Sequence, residues 1–170
     1  MAEHVAVGSA AAHLKSAAKG RIRPAADLRH GRLLFRHKHH LPMKPYAENR
    51  GRGPDFFVKY RLYSASEGGR KVTFQHLRCD FMYAGDDPQK DGIFMIHPEF
   101  LDERNVPIGE DVIIPLTGRA SMWILNPVMR LEVHRSRVAV GVRGHFMEGS
   151  RKISDVEIDA IAGLHEDPST

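Results

Sequence analysis

From Asp55 onward apolar side chains recur at every second residue. Phe56, Val58, Tyr60 and Leu62 interleave with Phe57, Lys59, Arg61 and Tyr63, the period of a strand with one face in a core. Ser64 to Arg70 contains Gly68-Gly69, whose freedom at positive φ suits a turn. Val72 to Tyr83 then sets Leu77, Cys79, Phe81 and Tyr83 against His76, Arg78 and Asp80, which predicts a second strand antiparallel to the first. Ala84 to Gly92 is polar and holds a proline, hence a loop. Ile93 to Ile96 reads as a short strand closed by His97-Pro98, and Glu99 to Gly109 as a long loop. Brief strands are expected at Val112–Ile114, at Arg119–Leu125 up to the break at Asn126-Pro127, at Met129–Val133 and at Val138–Val142. A turn at Glu148-Gly149-Ser150-Arg151 precedes a closing strand, Ile153–Ile161, with Val156, Ile158 and Ala160 on one face. Seven or eight short strands with turns at this spacing imply a sandwich or a closed barrel.

Residues 1–54 show no sustained period. An Ala-rich patch is followed by Arg21, Arg23, Arg29, Arg32 and Arg36, then His37, Lys38, His39 and His40. Burying so many unpaired charges is costly, so this part is expected to be a flexible arm. Met43 begins a segment leading straight into the ordered pattern, so Met1 and Met43 are both plausible starts. The expected organisation is a basic arm over 1–54 and one β domain over 55–170, in keeping with 170 residues.

Charge sharpens that division. Residues 1–54 hold 11 basic and 3 acidic side chains, whereas 55–170 hold 14 and 18. The positive field therefore belongs to the arm, which suits nucleic acid or an anionic surface. Cys79 is the only cysteine, which excludes an intrachain disulfide and a four-cysteine zinc site and fits a reducing, cytoplasmic compartment. No apolar stretch approaches a membrane span. The start lacks the apolar core of a secretory signal, although its Arg-rich, acid-poor composition is shared with organelle transit peptides.

The order of these pieces resembles the C-terminal β-barrel domain (domain 3) of elongation factor Tu and related translational GTPases. Phe57-Val58-Lys59-Tyr60-Arg61-Leu62-Tyr63, Glu67-Gly68-Gly69-Arg70 and Phe81 are similar to that domain's opening strand, its Glu-Gly-Gly-Arg turn and its second strand. His145-Phe146 and Glu148-Gly149-Ser150-Arg151-Lys152-Ile153 resemble the Glu-Gly-Gly-Arg-Thr-Val segment of its final hairpin. Val106-Pro107-Ile108-Gly109-Glu110-Asp111-Val112 sits where the family has an apolar Pro-Gly-Asp segment. The likeness covers roughly residues 56–161. It departs where Ser154-Asp155-Val156-Glu157 replaces the family's Gly-Ala-Gly-Val and where Pro98–Arg104 has no counterpart. No GxxxxGK[ST] phosphate loop is present, so GTPase activity is not implied.

The resemblance implies a single closed antiparallel barrel. It also implies an RNA-facing side formed by Gly69, Arg70 and Lys71 in the first turn and by Gly149 and Arg151 in the last, since the family's equivalent turns meet the T-stem of aminoacyl-tRNA. An arginine on a glycine-opened turn reaches phosphate oxygens readily. The plainer reading is hairpin chemistry, with Arg70 and Arg151 solvated or paired with Glu67 and Glu148.

Other candidates are weaker. His37, His39 and His40 are imidazole ligands without the fixed four-ligand geometry of a structural zinc site. Asp86, Asp87, Asp91 and Gly92 crowd acids into one loop, but Pro88-Gln89-Lys90 interrupts the alternation that a calcium loop needs. His76, His97, His134 and His145 are potential bases without a visible triad, and no GxSxG elbow is present. Cys79, Phe81, Phe94, Trp123 and Phe146 read as core.

The sequence thus predicts an all-β, non-catalytic binding module with no cofactor, no metal and no membrane contact, its partner tRNA, rRNA or a translation-related protein. The rival reading is a small enzyme or ligand binder with its site in Ala84–Gly92 and Pro98–Glu110, where His97, Glu99, Asp102 and Glu103 would converge; a third is a protein–protein adaptor. A deep pocket favours the rival, and a shallow face bearing both arginine turns favours the binding module.

Overall fold

The computed structural model describes residues 43–166. The alternation at the start of the domain forms strand β1, Phe56–Leu62, with Phe56, Val58, Tyr60 and Leu62 all buried. The other strands are β2 (Asp80–Tyr83), β3 (Ile96–Leu101), β4 (Thr117–Ile124), β5 (Arg143–Glu148), β6 (Arg151–Lys152) and β7 (Ser154–Ile161). They form one antiparallel sheet in the order β2-β5-β7-β1-β4-β3, with β6 on β5. The inner face carries the core, including Phe81, Phe100, Met122, Phe146 and Ile158.

The expected closed barrel is corrected: the sheet curls through 221° and stops short of closure. Its two edges meet without a ladder. Phe81 of β2 exchanges a pair of backbone hydrogen bonds with Phe94, at 2.7 and 2.8 Å. On the β3 side the buried Gln75 amide substitutes for a strand. Its Nε2 donates to the Phe100 carbonyl and its Oε1 accepts from the Phe100 N–H, both at 2.8 Å. The seam therefore has its polar groups satisfied locally, where a ladder would have closed the wall.

Several predicted strands change for related reasons. The strand expected over Val72–Tyr83 is a ladder only at Asp80–Tyr83, and it pairs with β5 rather than β1. Both flanks of β1 are already occupied, by β4 and β7, so a return hairpin has no edge to join. Leu77, Cys79, Phe81 and Tyr83 are nonetheless buried as expected. The stop at His97-Pro98 lies inside β3, where Pro98 is tolerated because this is an edge strand. Residues 112–114 form no strand; only Ile114 is buried, donating its N–H to the Thr73 carbonyl at 2.8 Å. Residues 138–142 are a turn around Gly141, at φ 87°.

The strand expected at Met129–Val133 is helical. Asn126 caps it, its Oδ1 accepting from the Val128 and Met129 N–H groups, and Pro127 fits the first helical position, which needs no donor. An α-helical turn (α2, Pro127–Met129) runs into a π-helical turn over Arg130–His134 and a second α-helical turn (α3, Arg135–Arg137). Arg130, His134 and Val138 face inward at spacings of four, whereas Val128, Met129 and Leu131 are exposed.

The proposed arm lies largely outside the described residues, but its last part is packed. A short helix (Tyr46–Arg50) sets Tyr46 over the outward-facing, buried Trp123, with ring centroids 5.8 Å apart. The Tyr46 N–H donates to Glu99 Oε1 at 2.9 Å, and its hydroxyl pairs with His97 Nδ1 at 3.0 Å. Arg52 continues inward to Asp55. Order thus begins by Met43 and not at Asp55.

Replacing Gln75 with Leu keeps most of the volume but strands the Phe100 N–H and C=O at the seam. It is expected to cost about 2–3 kcal/mol in urea unfolding and to speed hydrogen exchange at the Phe100 amide. An unchanged midpoint and unchanged exchange would show that the seam does not rely on this amide.

Candidate nucleic-acid interface

The two glycine turns singled out in the sequence come together. After β1 the chain makes a 3-10 turn over Ala65–Glu67, closed by a reciprocal cap between Ser64 and Glu67, with Gly68 at φ 89°. Gly69 is required by contact: a Cβ there would lie 1.8 Å from the Tyr63 carbonyl oxygen. That close approach turns the chain so that Arg70 leaves toward the β5–β6 turn, where Gly149 sits at φ 57°. The Tyr63 N–H donates to the Ile153 carbonyl at 2.9 Å, tying the two turns into one end of the sheet.

Glu148 lies between them. Arg70 Nε donates to its Oε1 and Arg151 Nη2 to its Oε2. Burial pushes the Glu148 carboxyl up, but the two guanidiniums outweigh it and hold the group below its ordinary range. Arg70 and Arg151 remain about half exposed, at 47% and 52%, while Glu148 is 18% exposed. Lys71 and Lys152 are exposed beside them in the chain. Sequence reasoning paired Arg151 with Glu148 but placed Arg70 with Glu67. Glu67 instead accepts from Arg61 Nη1 at 2.8 Å and from the Ser64 N–H at 2.9 Å. The Ser64-x-x-Glu67 spacing is itself a capping-box signal that commits Glu67 locally.

Beside this cluster Asp155 gathers a second network. It accepts from Tyr63 Oη at 2.6 Å and from Arg61 Nη2 at 3.0 Å, with His145 Nδ1 at 3.4 Å. Burial and the Asp155 hydrogen bond push the Tyr63 hydroxyl up to about 12. These charges neutralise one another, so the cationic excess stays with Arg70, Lys71, Arg151 and Lys152.

The residues of the rival reading are kept apart. His97 and Glu99 are taken by Tyr46. Asp102 Oδ1 accepts from the Arg104 and Val106 N–H groups within its own turn, and Glu103 points to solvent. An open groove of about 770 Å³ does run beside this loop, but its Arg119 is committed to Asp159 and Asn105. Asp86 is bound to Arg137 at 2.7 Å, and Asp87 and Asp91 organise their own turn. Among the described residues no group of three or more His, Cys, Asp or Glu is placed to hold a metal. His37, His39 and His40 lie outside them. Cys79 is buried, and burial raises its thiol far above the reactive range. His76 faces Glu110 at 3.5 Å.

His134 is the one histidine almost wholly enclosed, at 1% exposure. Its Nδ1 pairs with the Tyr83 hydroxyl at 2.8 Å. Burial, helped by the Arg137 charge and opposed by Asp55, pulls it down to about 4. Below about pH 6.5 the unfolded chain binds a proton here that the folded chain does not, so stability falls as pH drops toward 4 and levels beneath it. Between pH 7 and 5 this amounts to about 2 kcal/mol. The loss is expected in urea midpoints of the native chain and mostly absent from His134→Phe; equal losses in both would assign it elsewhere.

No family model and no curated protein matches the chain, so the likeness to the elongation factor barrel rests on the chain's own residues.

Proposed function

We propose that the protein is a non-catalytic RNA-binding module that holds a backbone phosphate between its two arginine turns. The observation that carries this reading is the convergence of Arg70 and Arg151 on a single carboxylate. Two guanidiniums from different turns, aimed at one pair of oxygens, form a ready seat for a tetrahedral oxyanion, which offers more acceptors than Glu148 does. Four cations surround that one acid, so the patch keeps a net positive field when Glu148 is in place. The glycines supply access: Gly149 carries no side chain that would shield the turn.

The scaffold agrees in class with the resemblance, being an antiparallel sheet rolled toward a barrel, and the two turns correspond to those that the elongation factor family presents to tRNA. A structured tRNA is therefore the first partner to try, with a translation-related protein second and the cytoplasm as the place of action. Such contacts are read through shape and phosphates, without base readout.

The test is tRNA binding by the full chain over a series of salt concentrations. The double substitution Arg70→Ala, Arg151→Ala is expected to weaken binding roughly tenfold and to lower the log–log salt slope by about 2, close to 0.9 per lost phosphate contact. Glu148→Gln is expected to tighten binding by removing the competing charge. Affinity and slope unchanged by the double substitution would take these residues out of the interface.

A further inference from the structure

A second site lies at the sheet's seam and is independent of the arginine turns. A cavity of about 300 Å³ opens between the loop before β3 and the helical stretch after β4. Phe94, Met95, Ile124 and Met129 give it apolar walls, Asp91 stands at its rim, and His134 forms its polar floor. The His134 ring packs edge-on to Phe94 at 4.8 Å and stacks on Tyr83 at 6.0 Å. Its Nε2 is buried and has no hydrogen-bond partner. A buried polar nitrogen left alone costs about 1–3 kcal/mol, so a natural site that keeps one calls for an explanation.

The hydrogen bond on the other side of the ring fixes what Nε2 offers. The Tyr83 hydroxyl is buried, and His134 Nδ1 is its one hydrogen-bond partner among the described residues. A buried hydroxyl proton needs an acceptor, so Tyr83 donates to Nδ1 and the ring proton resides on Nε2. The depressed basicity of His134 keeps the ring neutral, with that single N–H, throughout the physiological range. The geometry of the ring is held from behind: Arg137 lies 3.9 Å from the centre of the Tyr83 ring and is itself anchored by Asp86. The π-helical turn, a device that often marks functional positions, turns both Arg130 and His134 inward.

We infer that this cavity binds a small neutral molecule with an apolar, ring-sized body and one carbonyl-type acceptor, which takes the His134 Nε2–H. The volume sits at the lower end for ligand sites, which limits the occupant to fragment size. The apolar walls select the body, the lone donor orients the acceptor, and the Asp91 carboxylate at the rim disfavours an anion.

Acetophenone serves as the probe, with ethylbenzene as the match lacking the carbonyl and benzoate as the anionic match. Each is titrated into the full chain while the imidazole nitrogen and proton signals of His134 are followed by NMR. Acetophenone is expected to shift the Nε2–H signal saturably and to bind about three- to tenfold more tightly than ethylbenzene, the range one net hydrogen bond provides. Benzoate is expected to bind more weakly than the ketone. His134→Phe should abolish the difference between ketone and hydrocarbon. Because that change alters a buried position, Met129→Trp provides a second arm: it fills the mouth from a partly exposed residue and should remove the His134 shift with the thermal midpoint retained. A His134 signal unmoved by acetophenone up to its solubility limit, equal affinity for ketone and hydrocarbon, or full binding by folded Met129→Trp would each overturn the inference.

Discussion

The Asp55 carboxylate is fully buried and yet fully satisfied, and most of the molecule is arranged around it. Oδ1 accepts from Arg52 Nη1 at 2.8 Å and Arg130 Nε at 2.6 Å; Oδ2 accepts from Arg52 Nη2 at 3.0 Å and the Ile124 N–H at 2.7 Å. Its backbone N–H donates to Met122, and its carbonyl accepts from Ala162 and Leu164. Arg130 passes the connection on to the Gly163 and Glu166 carbonyls. One residue thus joins the segment before β1, the end of β4, the π-helical turn and the chain after β7. A buried charge without such partners would be prohibitive. The same demand explains why the residues just upstream are packed: without Arg52, part of the Asp55 charge goes unanswered.

Two consequences reach the surface. The first concerns closure. With Asp55 fastening the helical stretch across the end of β4, the seam between β2 and β3 needs only the Phe81–Phe94 bridge and the Gln75 amide to satisfy its edges. The second concerns chemistry. Arg130 and His134 lie one helical turn apart on the same inward side, so the interaction that buries the arginine also places the imidazole under the seam. At the far end of the sheet a different carboxylate, Glu148, does for the two surface turns what Asp55 does for the interior. It is partly exposed, however, and a phosphate is able to take its place.

Much of the local structure was legible. β1 and β7 carry a clean period of two because each buries one face. The glycine turns were legible because steric demand at Gly68 and Gly149 is local. What the sequence concealed depends on distant partners. The alternation in Val72–Tyr83 shows which side is buried, but the strand it joins is set by β4 and β7 occupying both flanks of β1. Met129, Leu131 and Val133 mimic a strand while the buried residues are Arg130 and His134, whose burial makes sense only beside Asp55 and Tyr83. Within the candidate interface, Arg70 and Arg151 could be named in advance; that one glutamate would hold both could not, because Glu67 is nearer to Arg70 in the chain.

The account therefore stands on the coupling between Asp55 and Arg130, which a double-mutant cycle measures. Asp55→Asn and Arg130→Met are each expected to cost about 3–5 kcal/mol in urea unfolding, because either one strands a buried charge. The double substitution should cost clearly less than the two singles together, with a coupling of at least about 1.5 kcal/mol. Costs that add to within about 0.5 kcal/mol would show that the two residues stabilise the fold independently, and the organisation of the sheet around Asp55 would be contradicted.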